Sequence, residues 1–150
     1  IKTMDEYSDD EPLIVRGTVR DVDGSPLSNV LINVWSSTPD GKYSGIHDNI
    51  PLEYYRGKIH TDRTGYFEVE TTVPVPYQIP NKGPTGALLE MMGRHSWRPA
   101  HVHIKIRQPG FRELTTQFYF EDGEYVEDDS CEGVVSEEFI FPRVVENGKR

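Results

Sequence analysis

Glycine and proline punctuate this chain and limit what it can become. Thirteen glycines and eleven prolines are spread along 150 residues, above average usage. The segments between them are short and rich in β-branched and aromatic residues. Such a chain reads as many short strands joined by turns, not as a helical bundle. Residues 13–20 (LIVRGTVR) and 30–35 (VLINVW) read as strands. Asp23-Gly24-Ser25-Pro26 and Pro39-Asp40-Gly41 read as turns. Residues 58–61 and 66–72 flank Asp62-Arg63-Thr64-Gly65 and read as a hairpin. Residues 101–107 (HVHIKIR) and 114–120 (LTTQFYF) follow as strands, with 139–145 as a final one. Residues 44–57 and the acidic stretch 121–130 read as irregular. The expected architecture is all-β, an antiparallel β-sandwich with one short helix and long irregular loops. That helix spans residues 86–92 (GALLEMM), with Thr85 as its expected cap.

Prolines 74, 76, 80 and 84 make residues 73–85 an extended, fixed loop. Proline cannot donate to a sheet ladder, so no strand is expected there. Residues 1–12 (IKTMDEYSDDEP) read as a mobile acidic leader, and 13–150 as one domain, long enough to bury a core. The chain starts at Ile1 and ends in a charged stretch, so it reads as a processed or excerpted piece of a longer protein.

The formal charge of −9 argues against nucleic acid or an anionic membrane surface as partner. No apolar run approaches the ~18–20 residues needed to span a bilayer. One cysteine, Cys131, leaves no internal disulfide and fits a reducing compartment, the cytoplasm.

Chemistry concentrates in His101-Val102-His103-Ile104-Lys105-Ile106-Arg107. Side chains of a strand alternate faces. Val102, Ile104 and Ile106 face one way, and His101 and His103 the other. Two imidazoles at i and i+2 can converge on one metal ion, although the same pattern also decorates ordinary polar strand faces. Arg98 precedes Pro99 and is held extended. His47, His60 and His95 are scattered, and no carboxylate or cysteine cluster completes a site. Eight tyrosines offer hard oxygen donors suited to a ferric ion, which would keep a phenol deprotonated. Residue type alone does not choose among them.

The chain resembles the intradiol ring-cleavage dioxygenases. The resemblance rests on Val34-Trp35, Gly41-Lys42-Tyr43-Ser44, Arg56-Gly57, Thr61-Asp62-Arg63-Thr64-Gly65-Tyr66, Gly83-Pro84-Thr85, Gly93-Arg94-His95, Arg98-Pro99-Ala100-His101-Val102-His103, Pro109-Gly110 and Leu114-Thr115-Thr116-Gln117. These run in family order from about residue 13 to residue 135.

The resemblance implies a single Fe(III) held by Tyr43, Tyr77, His101 and His103, with Tyr43 and His101 equatorial and Tyr77 and His103 axial. It implies cleavage of a catechol by O₂, between the two hydroxylated carbons, to a cis,cis-muconate. Tyr77 would leave the metal and take a substrate proton. Arg98 would stabilise negative charge on the substrate, and Gln117 would orient it. Asp128-Asp129-Ser130-Cys131 and Pro76-Tyr77-Gln78-Ile79-Pro80 look most like the chlorocatechol branch, with hydroxyquinol and plain catechol enzymes as alternatives. Cys131 would then line the substrate pocket beside a ring chlorine; the competing reading is a buried small residue. The family also implies a homodimer, built on a helical domain that these 150 residues do not contain. Two rival readings are a domain disabled by that loss and a non-enzymatic transthyretin-like binding module. The second explains residues 13–36 but gives the Arg-Pro-Ala-His-Val-His run no role.

Overall fold

The computed structural model describes residues 1–4 and 11–146. The described residues form nine strands: β1 (Pro12–Thr18), β2 (Leu31–Ser36), β3 (Arg56–His60), β4 (Tyr66–Thr72), β5 (Tyr77–Gln78), β6 (Trp97–Arg98), β7 (His101–Arg107), β8 (Leu114–Phe120) and β9 (Ile140–Phe141). The helix α1 spans Pro84–Met91. A five-stranded sheet runs in the order β3-β2-β7-β8-β9. A β1-β4 ribbon packs over one of its faces, and a small β5-β6 ribbon stands apart from both.

The core lies between the first two layers. Leu13 of β1 and Phe67 and Val69 of β4 meet Ile32 and Val34 of β2, Val102 and Ile104 of β7, and Phe120 of β8. The sandwich expected from the turn-rich pattern is therefore present. Burying Val102 and Ile104 against the ribbon turns His101 and His103 to the opposite face of the sheet. Ladder register then fixes their neighbours. Trp35 on β2 and Gln117 on β8 lie opposite His103, and Tyr119 lies opposite His101.

The strand map differs from the sequence reading at five places. The turn at Asp62–Gly65 forms, with Asp62 Oδ1 accepting from the backbone N–H groups of Thr64 and Tyr66. Yet its flanking strands do not pair with each other. β3 pairs with β2, and β4 with β1, so this turn carries the chain from one sheet to the other. The proline-rich loop does hold a ladder: Tyr77–Gln78 pairs antiparallel with Trp97–Arg98. Those two residues sit between Pro76 and Pro80 and keep their N–H groups, which is why pairing survives there. The final strand shrinks to Ile140–Phe141 and runs parallel to β8; Pro142 ends it. Thr85 does not cap α1, whose N-cap is Gly83 without a side-chain bond, followed by Pro84 in the first turn. β1 stops at Thr18, because the Val19 backbone bonds Gly65 and Leu27 instead.

At the chain start, Ile1 packs against the core and its ammonium donates to the Glu70 carbonyl. Tyr55 N–H donates to the Lys2 carbonyl. The acidic middle of the expected leader, residues 5–10, lies outside the described residues.

Ile104 is 1% exposed at the centre of the core. Ile104→Ala should lower unfolding stability by about 2–5 kcal/mol, from lost transfer energy and the cavity left behind. Urea titration measures this; a loss below 1 kcal/mol would place the core elsewhere.

Candidate metal centre

Four side chains converge over the outer face of β7. His101 is almost fully buried, and its Nε2 lies 3.0 Å from His103 Nε2 and 3.2 Å from the Tyr43 hydroxyl. The Tyr77 ring meets Tyr43 edge-on, with centroids 5.2 Å apart, and lies 5.6 Å from the His101 ring. The expected set of Tyr43, Tyr77, His101 and His103 is thus brought together.

Each member is aimed by its surroundings. The Pro99 carbonyl is 2.8 Å from His101 Nδ1. A carbonyl only accepts, so Nδ1 carries the proton and Nε2 offers its lone pair to the cluster. His103 is stacked flat on Trp35, centroids 4.7 Å apart and planes 6° from parallel. Tyr43 follows a tight turn in which the Thr38 hydroxyl accepts from Lys42 N–H and donates to Asp40. His47 Nδ1 accepts from the Tyr43 backbone N–H at 3.0 Å. Gly41 has φ 82°, and a Cβ there would stand 3.1 Å from Tyr77 Cβ. Glycine at this position lets the two tyrosine-bearing segments touch. Tyr77 is fixed by its ladder to Arg98.

The protonation states suit ligation. Burial lowers His101 to about 4, against the pull of the Pro99 carbonyl. Burial and then neighbouring His101 lower His103 to about 3. Both imidazoles are neutral at pH 7 and present lone pairs. Burial, followed by the adjacent Tyr77 phenol, pushes Tyr43 far above the usual phenol range. Without a cation the Tyr43 phenol stays protonated; a bound trivalent ion would reverse that balance. Among the described residues no group of three or more His, Cys, Asp or Glu stands together. A cation here therefore depends on mixed phenol and imidazole donors, a hard set that fits ferric iron.

Beside this cluster lies a buried polar group. Arg98 donates through Nε and Nη2 to Asp129, at 3.1 and 2.9 Å. Its Nη2 also reaches Gln117 Oε1 at 3.0 Å and the Tyr119 hydroxyl at 3.3 Å. Burial opposes the Arg98 charge, but Asp129 outweighs it and the net shift is upward. Arg98 and Gln117, each given a role toward substrate by the resemblance, lie within hydrogen-bond distance of each other.

Three residues of this neighbourhood carried no assigned role in the sequence reading. Trp35 and Tyr119 were within its reach, since each faces a histidine across the ladder. Asp129 was not, because it sits in an acidic run that looks like any solvated loop. That loop is clamped from several sides. Arg94 reaches Glu132 and the Asp129 carbonyl, Tyr125 stacks on Trp97, and Ser130 N–H donates to the Trp97 carbonyl. Cys131 is exposed, so the alternative of a buried small residue is excluded.

Residues 1–148 match the dioxygenase family. The chain is 59% identical over its whole length to chlorocatechol 1,2-dioxygenase of Cupriavidus pinatubonensis, covering 58% of that protein. It is 48% identical over 81% of its length to the chlorocatechol 1,2-dioxygenase of Rhodococcus opacus, covering 48% of that protein. The crystal structure of chlorocatechol 1,2-dioxygenase from Pseudomonas putida superimposes with a TM-score of 0.93 at 58% identity, over 99% of this chain and 60% of that one. The chain thus spans less than two thirds of the length of these relatives. On these matches the chain belongs to the intradiol dioxygenase family.

Proposed function

We propose that this chain is the catalytic part of an Fe(III)-dependent enzyme that cleaves catechols, chlorocatechols above all, with O₂. The observation that carries this reading is the convergence of the Tyr43 hydroxyl with two imidazole Nε2 atoms, flanked by Tyr77. Ferric iron held there would supply Lewis acidity toward the catechol and make its ring reactive toward O₂. The overall change is balanced: catechol plus O₂ gives cis,cis-muconic acid, with both oxygen atoms retained in the product.

The protein's own groups then have defined tasks. His101, His103 and Tyr43 would hold the metal, with orientations set by Pro99, Trp35 and the Thr38–Lys42 turn. Tyr77 would contribute its phenolic oxygen to the metal, and that oxygen would accept a catechol proton. Gln117 hydrogen-bonds the substrate, and the Arg98 guanidinium faces the negative charge that develops on it. Cys131 lies two residues beyond Asp129 on the same clamped loop, where an exposed thiol can border the substrate ring beside a chlorine substituent. Relatives named chlorocatechol 1,2-dioxygenase reach 59% identity. The 6-chlorohydroxyquinol enzyme of Cupriavidus pinatubonensis reaches 36%, and catechol 1,2-dioxygenase 2 of Acinetobacter lwoffii 41%. That ordering favours chlorocatechol. No helix among the described residues is long and apolar enough to cross a membrane. We place the enzyme in the cytoplasm as a homodimer, the assembly that the family resemblance implies.

Iron-loaded protein should be burgundy-red and consume one O₂ per 4-chlorocatechol. Its specificity for that substrate should exceed that for catechol and hydroxyquinol in an oxygen electrode. A preparation that binds iron but stays colourless and takes up no O₂ would reject the reading.

His103→Ala should lose most of its iron by metal analysis, and Tyr77→Phe should keep iron but move the visible band. Full occupancy in the histidine variant would show that the donor set is wrong.

Acidity should act in one direction on the metal-free protein. His101 and His103 bind protons more weakly folded than unfolded. Their contribution to stability is complete above about pH 6.5 and declines as pH falls through 6.5 toward 4. Thermal melts across that window should show falling Tm, and the His103→Ala variant a shallower decline.

A further inference from the structure

Asp129 is held in a way that leaves it a single task. A carboxylate has about four lone-pair sites on two oxygens. Oδ1 accepts Arg98 Nε at 3.1 Å and the Cys131 backbone N–H at 3.0 Å. Oδ2 accepts Arg98 Nη2 at 2.9 Å and the Gly133 backbone N–H at 3.0 Å. All four sites are taken by donors within the protein. This carboxylate has no capacity left to accept a proton or a hydrogen bond from substrate, so it is not a base. The arrangement also sorts the arginine's donors. Nε and Nη2 are committed to Asp129, Gln117 and Tyr119. Nη1 has no partner among the described residues and is the donor edge left for a ligand.

Gly133 is part of the same assembly. A Cβ at this position would overlap Arg98 Nη2 and come within 2.7 Å of the Tyr119 hydroxyl and 2.9 Å of Asp129 Oδ2. Its φ is not in the left-handed region, so the need for glycine here is close approach and not backbone conformation. The chain thus reserves space at residue 133 for the Arg98–Asp129–Tyr119 contact.

We propose that Asp129, with Gly133 beneath it, is the positioning residue that turns Arg98 Nη1 toward the catechol, and so sets the rate of ring cleavage without touching metal or substrate. The inference rests on the catechol-cleaving reading above and goes beyond it by assigning the orientation of Arg98 to the acidic loop. The loop has anchors besides this carboxylate. Arg94 binds Glu132 and the Asp129 carbonyl, and Tyr125 stacks on Trp97.

Two variants disturb the contact by different means. Asp129→Asn has one carbonyl oxygen for four donors and points an NH₂ at the rest. Gly133→Ala removes no charge and acts only by crowding. In iron-loaded protein both should keep parental iron content and resting visible colour. Anaerobic titration should show catechol binding within a few-fold of the parent. The kcat for 4-chlorocatechol should fall about 100-fold, the effect of misplacing a reacting-site group by roughly 1 Å. In an Arg98→Ala background, Asp129→Asn should cost less than about twofold more, because its partner is already gone.

Near-parental kcat in both single variants would overturn the proposal. So would an equal loss from Asp129→Asn with and without Arg98, which is the signature of a merely structural role. Failure of the underlying reading looks different: the parent itself would then show neither colour nor O₂ uptake.

Discussion

The period-two alternation of β7 is the constraint on which everything else depends. Val102 and Ile104 are drawn into the core against the β1-β4 ribbon. Their burial forces His101 and His103 onto the other face. A register slip of one residue would exchange the two sets, placing imidazoles in an apolar core and valine and isoleucine at the metal centre. The hydrophobic interaction that stabilises the sandwich therefore also fixes the direction of both nitrogen ligands. The ladders extend this order sideways, setting Trp35 and Gln117 beside His103 and Tyr119 beside His101.

The site combines a rigid strand with ligands borne on loops, and each loop is stiffened by a distinct device. Tyr77 is bracketed by Pro76 and Pro80 and paired to Arg98. Tyr43 follows a turn closed by the Thr38 side chain. Gly41 brings the two tyrosine-bearing segments into contact. The charges are arranged with similar economy. Arg98, a cationic side chain beside the cluster, is balanced by a buried carboxylate whose lone pairs are all occupied. Burial favours the uncharged forms of both histidines and of Tyr43.

Much of this could be read in the sequence, for local reasons. Alternation in HVHIKIR placed the histidines on one face, and turn residues marked most connections. Motif resemblance supplied Tyr43 and Tyr77, which eight chemically equivalent tyrosines could not. What escaped depends on long-range pairing. The Asp62–Gly65 turn has hairpin chemistry, but that chemistry does not say which sheet each flanking strand joins. Proline density argued correctly for a stiff segment and wrongly against any ladder, because Tyr77 and Gln78 retain their N–H groups. Asp129 was invisible for a different reason. Its importance comes from a partner 31 residues away, and nothing in an acidic run distinguishes the one carboxylate that turns inward.

The most direct measurement is anomalous diffraction at the iron edge from crystals of the iron-loaded protein. A single strong peak is expected, bonded to His101 Nε2, His103 Nε2 and the phenolic oxygens of Tyr43 and Tyr77. No peak at that position, or a peak elsewhere with those four side chains turned apart, would contradict the assignment of the metal centre.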